Sequence, residues 1–139
     1  MTNPFQHATD SYGAVRPSYP REAIDTILAG EKASEITIAD VGAGTGKLTA
    51  ELLERGAKVI AVEPAQAMRE QLVELLGNDQ NLQVVDACAE VTGLPDASVD
   101  RTVFAQSWHW VDPQAAGQEM HRIVCPGGQL MIVWNQLDV

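Results

Sequence analysis

The feature that most constrains this chain is a glycine-spaced turn, D-x-G-x-G-x-G, running from Asp40 to Gly46. Before it, residues 36–41 form a short apolar, β-branched run with the character of a buried strand. After it, Leu48, Leu52 and Leu53 recur at helical spacing. A strand, a glycine turn and a helix open a nucleotide-binding α/β unit. Glycine admits positive φ and lets a ligand approach the backbone where a Cβ would stand. The helix that follows adds free amides and a positive dipole end.

Two familiar phosphate loops do not match the letters. A Walker A loop needs Ser or Thr after Gly46-Lys47, where Leu48 stands, and a glycine at Val41. The dinucleotide fingerprint needs its third glycine at Lys47, one residue after Gly46. A nicotinamide-dependent oxidoreductase is therefore disfavoured. The pattern resembles the first motif of the class I S-adenosylmethionine-dependent methyltransferases, small-molecule type. The resemblance implies that Asp40, Gly42, Gly44 and Gly46 surround the methionine end of S-adenosylmethionine.

Further motifs of that family follow in order. Residues 58–63 read as a second strand, covered on both faces and ending in Glu63. An acid at that place can take ribose hydroxyls on its two oxygens. Pro64 and Ala65 open the next helix, and Met68 falls at the E/D-x-x-x-x-M spacing. The resemblance places Pro64 in the cofactor site and Met68 on the adenine ring, where a thioether packs well; a core methionine is the alternative. Residues 82–85 are a third strand. Past them the family carries an Asp that holds the adenine amino group. The register that matches Ala89-Glu90 puts Cys88 at that Asp, with the Ala89 amide beside it and Asp86 as the other candidate.

Residues 99–106 form the fourth strand, and the switch point of such a sheet lies between the first and fourth. Gln106 and the run Ser107-Trp108-His109-Trp110 should therefore line the pocket, with Gln106 assigned to the cofactor. His109 is the candidate catalytic base, against a purely local hydrogen bond; Trp110 reads more simply as packing. Asp112-Pro113 caps a further helix. Cys125-Pro126-Gly127-Gly128 turns into a fifth strand over residues 129–134.

The expected architecture is α/β: a Rossmann-like doubly wound parallel sheet of five strands with flanking helices, the last two strands of the family's sheet being absent. Residues 1–19 are expected to be a flexible arm or lid, carrying Y-x-x-x-R-P-x-Y-P from Tyr12 to Pro20, and residues 20–139 the cofactor-binding core. The early stop suggests a truncated chain. An exposed fifth-strand edge then predicts a homodimer.

Composition narrows the partners. The 139 residues carry a formal net charge of -10 without clustered Lys or Arg, which argues against nucleic acid and against an anionic membrane. Two cysteines, Cys88 and Cys125, make no disulfide framework or metal knuckle. With no visible leader or apolar span, a cytoplasmic location is expected. The expected function is methyl transfer from S-adenosylmethionine to a small-molecule acceptor; the alternative is a truncated, non-catalytic domain that binds the cofactor or a protein.

Overall fold

A computed structural model describes residues 19–105 and 111–133. Five strands run in chain order as β1 (Thr37–Val41), β2 (Lys58–Val62), β3 (Leu82–Val85), β4 (Val99–Ala105) and β5 (Val124–Val133). Among the described residues four α-helices separate or precede them: α1 (Arg21–Leu28), α2 (Lys47–Glu54), α3 (Gln66–Leu76) and α4 (Pro113–Ile123). All strand pairs are parallel, and the sheet order is β3-β2-β1-β4-β5. The order reverses between β1 and β4, as the expected doubly wound sheet requires.

Apolar side chains cover both faces. On one face, Ile24, Ile27 and Leu28 of α1 and Leu48, Leu52 and Leu53 of α2 cluster with Ile38, Val59 and Val103. On the other, Ala116, Met120 and Ile123 of α4 cluster with Ala39, Val41 and Phe104. Alternate residues of one strand thus serve opposite layers, as the pleat dictates. The continuous apolar run of β2 reflects this double burial.

Element ends follow local chemistry. The Asp112 carboxylate accepts the amides of Gln114 (3.1 Å) and Ala115 (3.4 Å), so the expected cap of α4 is present. Gly56, at φ 94, closes α2. Helix α1 ends at Leu28, and the left-handed turn after it begins at Ala29, φ 52, ahead of Gly30. Helix α3 starts at Gln66 rather than at Pro64.

The fifth strand also differs. Pairing begins at Val124, opposite Val99, directly after α4, and resumes at Gln129 opposite Arg101. The proline-glycine segment is an irregularity within β5 rather than a turn before it. Gly127 has φ 84, and a Cβ at Gly128 would run into the Asp100 carbonyl and the Val124 side chain. Only glycine lets the strand pass so close to β4. In this sheet β5 lies at one edge and β3 at the other.

Candidate functional site

A cleft of about 570 Å³ opens over the carboxyl ends of β1 and β4. That volume lies within the ordinary range for small-molecule sites, roughly 300–1,000 Å³. The expected residues Asp40, Gly42, Gly44, Glu63, Pro64, Met68, Cys88 and Ala89 all line it.

The glycine turn shapes the floor. Gly42, Gly44 and Gly46 have φ of 74, 61 and 93, so each needs the left-handed region. Their surroundings differ. A Cβ on Gly44 would meet no atom within 4 Å, whereas one on Gly46 would lie 3.1 Å from both Leu72 and Leu76. Gly44 therefore leaves room in the cleft, while Gly46, also expected to touch the cofactor, lets the turn pack against α3.

The turn's amides are largely committed within the protein. Those of Gly42 and Ala43 donate to the Val62 carbonyl (2.8 and 3.1 Å), and that of Gly46 to Ala43 (3.0 Å). The Gly44 amide donates to Glu63 Oε1 (2.7 Å), and the Ala65 amide to Glu63 Oε2 (2.9 Å). Glu63 thus bridges the glycine turn and the start of α3. A loop that spends its amides this way does not present them to a pyrophosphate.

Asp40 is fully buried beneath the turn and accepts the Thr49 hydroxyl at 2.6 Å. Burial pushes its carboxyl up to about 6; the Thr49 bond opposes this and the charge of Glu63 adds to it. Glu90 brings a third carboxylate to the cleft. Its Oε2 accepts the Asp112 amide (2.9 Å), and this bond holds its carboxyl below the usual range. Among the described lining residues the basic group is Lys47. The cleft is therefore predominantly acidic.

The segment after β3 forms one wall. Cys88, exposed, and Ala89 line the cleft there, while Asp86 instead pairs with Arg69 at 3.0 Å. The Thr92 amide and hydroxyl both donate to Glu119 of α4 (2.8 and 2.6 Å). Arg122 donates to both Glu119 oxygens and to Asp96. Met68, expected on the adenine ring or in the core, is 42% exposed and lines the cleft, so it is not a core residue here. Gln106 and His109 lie outside the described residues, as does the Tyr12 part of the arm. Tyr19, placed at the end of that arm, is buried against α1 and also lines the cleft.

Sequence reasoning did not single out Thr49, Arg69 or Glu90. Thr49 falls on the buried face of α2, between Leu48 and Leu52, and that position could have flagged it. Glu90 stood in the matched Ala89-Glu90 pair. Arg69 carried no signal beyond its place after Met68.

The parallel sheet, the glycine turn at the switch point and the acidic cleft define a Rossmann-like domain with a candidate ligand site. Residues 39–132 match the family described as a methyltransferase domain, and the chain belongs to that family. An uncharacterized methyltransferase of Mycobacterium tuberculosis is 44% identical over 138 residues, covering 99% of this chain and 54% of the relative. A protein of Anaeromyxobacter dehalogenans, proposed to be a type II methyltransferase, is 35% identical. It superposes with a TM-score of 0.72 over 86% of this chain and 48% of its own. The geranyl diphosphate C-methyltransferase of Streptomyces coelicolor A3(2), solved with Mg2+, geranyl diphosphate and S-adenosyl-L-homocysteine, shares the fold. It is 19% identical with a TM-score of 0.68 over 81% of this chain and 45% of its own. The chain spans about half the length of the curated relatives it matches.

Proposed function

We propose that this chain forms the S-adenosylmethionine-binding core of an enzyme that methylates a small-molecule acceptor. The observation that carries the reading is the acid-lined cleft over a glycine turn whose amides are turned inward. Such a cleft suits a ligand bearing an ammonium and a sulfonium, and suits a pyrophosphate poorly. Family membership supports the same cofactor, as does the S-adenosyl-L-homocysteine held by the fold relative from Streptomyces coelicolor.

Each residue has a part in this reading. Asp40 sets negative charge beneath the methionine end, and Gly44 leaves the space that end occupies. Each Glu63 oxygen accepts one amide in this structure and keeps capacity for a ribose hydroxyl. Met68, Pro64, Cys88 and Ala89 flank the adenine. Bound S-adenosylmethionine supplies a methyl group already activated by its sulfonium. The protein's task is then to orient donor and acceptor. Gln106 and His109 belong to this proposal as cofactor contact and base. The formal net charge of -10 supports a small acceptor over a nucleic acid.

Calorimetric titration with S-adenosylmethionine, and in parallel with NAD, tests the reading. Saturable binding of S-adenosylmethionine alone, abolished in Glu63→Ala, is expected. Binding of NAD, or of neither ligand, would overturn it; the latter would favour a non-catalytic interaction domain.

A further inference from the structure

Two separate segments wall the outer half of the cleft. The β2–α3 turn supplies Glu63, Pro64, Ala65 and Met68, and the segment after β3 supplies Cys88 and Ala89. One side chain fastens the two together. From the first turn of α3, Arg69 reaches back so that its Nη1 donates to the carbonyls of Glu63 (3.0 Å) and Pro64 (2.7 Å). The same nitrogen donates to Asp86 Oδ1 (3.0 Å), just beyond β3. The Arg69 side chain is 19% exposed, and the residue is not among those lining the cleft.

We infer that Arg69 is a positioning residue for the nucleoside half of the cofactor site. It fixes the turn that carries Glu63 and Met68 in register with the wall that carries Cys88 and Ala89. The inference rests on the S-adenosylmethionine reading. Exposed ion pairs alone contribute little, and Asp86 is 69% exposed, so the Asp86 bond alone is a weak fastener. The two carbonyl bonds matter more, because they set the direction in which the chain leaves Glu63. That residue is otherwise held by its amide on the Val85 carbonyl (3.0 Å) and by its own side chain.

The geometry also specifies what kind of side chain the clamp needs. A single nitrogen makes all three contacts, so the planar guanidinium fork is not used as a fork. Such a site needs a cationic point donor. Nη1 carries two N–H groups for its three acceptors, so one is shared; a lysine ammonium has three, but its nitrogen ends one bond nearer the backbone than Nη1.

The test compares Arg69→Ala and Arg69→Lys with the unaltered chain. Affinities for S-adenosylhomocysteine and 5′-methylthioadenosine are measured by calorimetry, and amide exchange at Ala65 by hydrogen–deuterium NMR. In Arg69→Ala both ligands, which share the nucleoside, should lose affinity by the same factor, on the order of tenfold for a lost charge-assisted bond. The Ala65 amide, which donates to Glu63 Oε2, should exchange faster, while amides in β1 keep their protection. Arg69→Lys, which keeps the charge but reaches less far, should recover part of both effects. Unchanged affinity in Arg69→Ala would overturn the inference, as would unchanged Ala65 exchange. A loss in Arg69→Lys equal to that in Arg69→Ala would overturn the single-nitrogen account. Absence of binding by the unaltered chain would instead reject the cofactor reading, and with it the clamp's role toward that ligand. Exchange at Ala65 then reports separately whether Arg69 holds the turn.

Discussion

Asp40 should make the stability of this protein depend on pH in the direction opposite to that of most carboxylates. Its carboxyl is raised from 3.8 to about 6, first by burial. The folded state therefore takes up a proton that the unfolded state refuses. Stability from this group is gained as pH falls through about 6 and is complete below the unfolded value of 3.8. The full difference is worth about 3 kcal/mol. Between about pH 7.5 and about pH 5 the gain is on the order of 1 kcal/mol. Glu119 behaves in the opposite sense. Arg122 holds it down to about 2 from 4.5, so its contribution is present above 4.5 and lost as pH falls toward 2. That loss lies mostly below the chosen window. Asp40→Asn keeps an acceptor for the Thr49 hydroxyl but cannot titrate. Urea unfolding of both proteins at the two pH values isolates the effect. The stability of the unaltered chain relative to Asp40→Asn should rise by about 1 kcal/mol on acidification. A difference that stays constant with pH would refute the reasoning, because it would mean that the buried carboxyl does not take up a proton in this range. A charge kept in a buried site at the expense of stability fits a ligand-binding role.

Two glycines in one turn should respond differently to a methyl group. Gly46→Ala combines φ 93 with contacts 3.1 Å from Leu72 and Leu76, so thermal unfolding should show a loss of about 1–3 kcal/mol. Gly44→Ala meets open space at φ 61; a smaller loss, about 1–2 kcal/mol, should accompany a marked fall in S-adenosylmethionine affinity by calorimetry. Equal affinity in Gly44→Ala would remove that residue from the cofactor site. At the sheet edge, Leu130 and Ile132 of β5 are 43% and 40% exposed, so the expected homodimer should appear in sedimentation at micromolar concentration. A monomer there would count against pairing through β5.

The succession of strands and helices is legible along the chain, because each element carries its own periodicity and its own stop. The Val59–Val62 run, the Asp112 cap and the glycines at alternate positions are local signals, and the structure places each where its local chemistry requires. The cleft lining was legible in part: the expected residues between Asp40 and Ala89 line it, apart from Gly46, since a parallel sheet brings strand ends to one side whatever the detailed packing. Local pattern was weaker at Ala29 and at β5. At Ala29 a residue without glycine's freedom takes the left-handed turn. At Val124 the strand begins without any gap after the helix, because its partner Val99 is already in place across the sheet.

How the charges are spent depends instead on which groups the packed layers bring together. That Asp40 accepts from Thr49 follows from α2 lying against β1. That the two Glu63 oxygens hold the Gly44 and Ala65 amides follows from β1 and β2 ending side by side. That Gly46 serves packing, while Gly44 serves space, depends on where Leu72 and Leu76 fall. Arg69 becomes a fastener only because β3 brings Asp86 within 3.0 Å of it. Hydrophobic periodicity is a property of neighbours along the chain, so sequence displays it. Hydrogen-bond partners and the desolvation that shifts a carboxyl are properties of neighbours in space, so they appear only once the layers have packed.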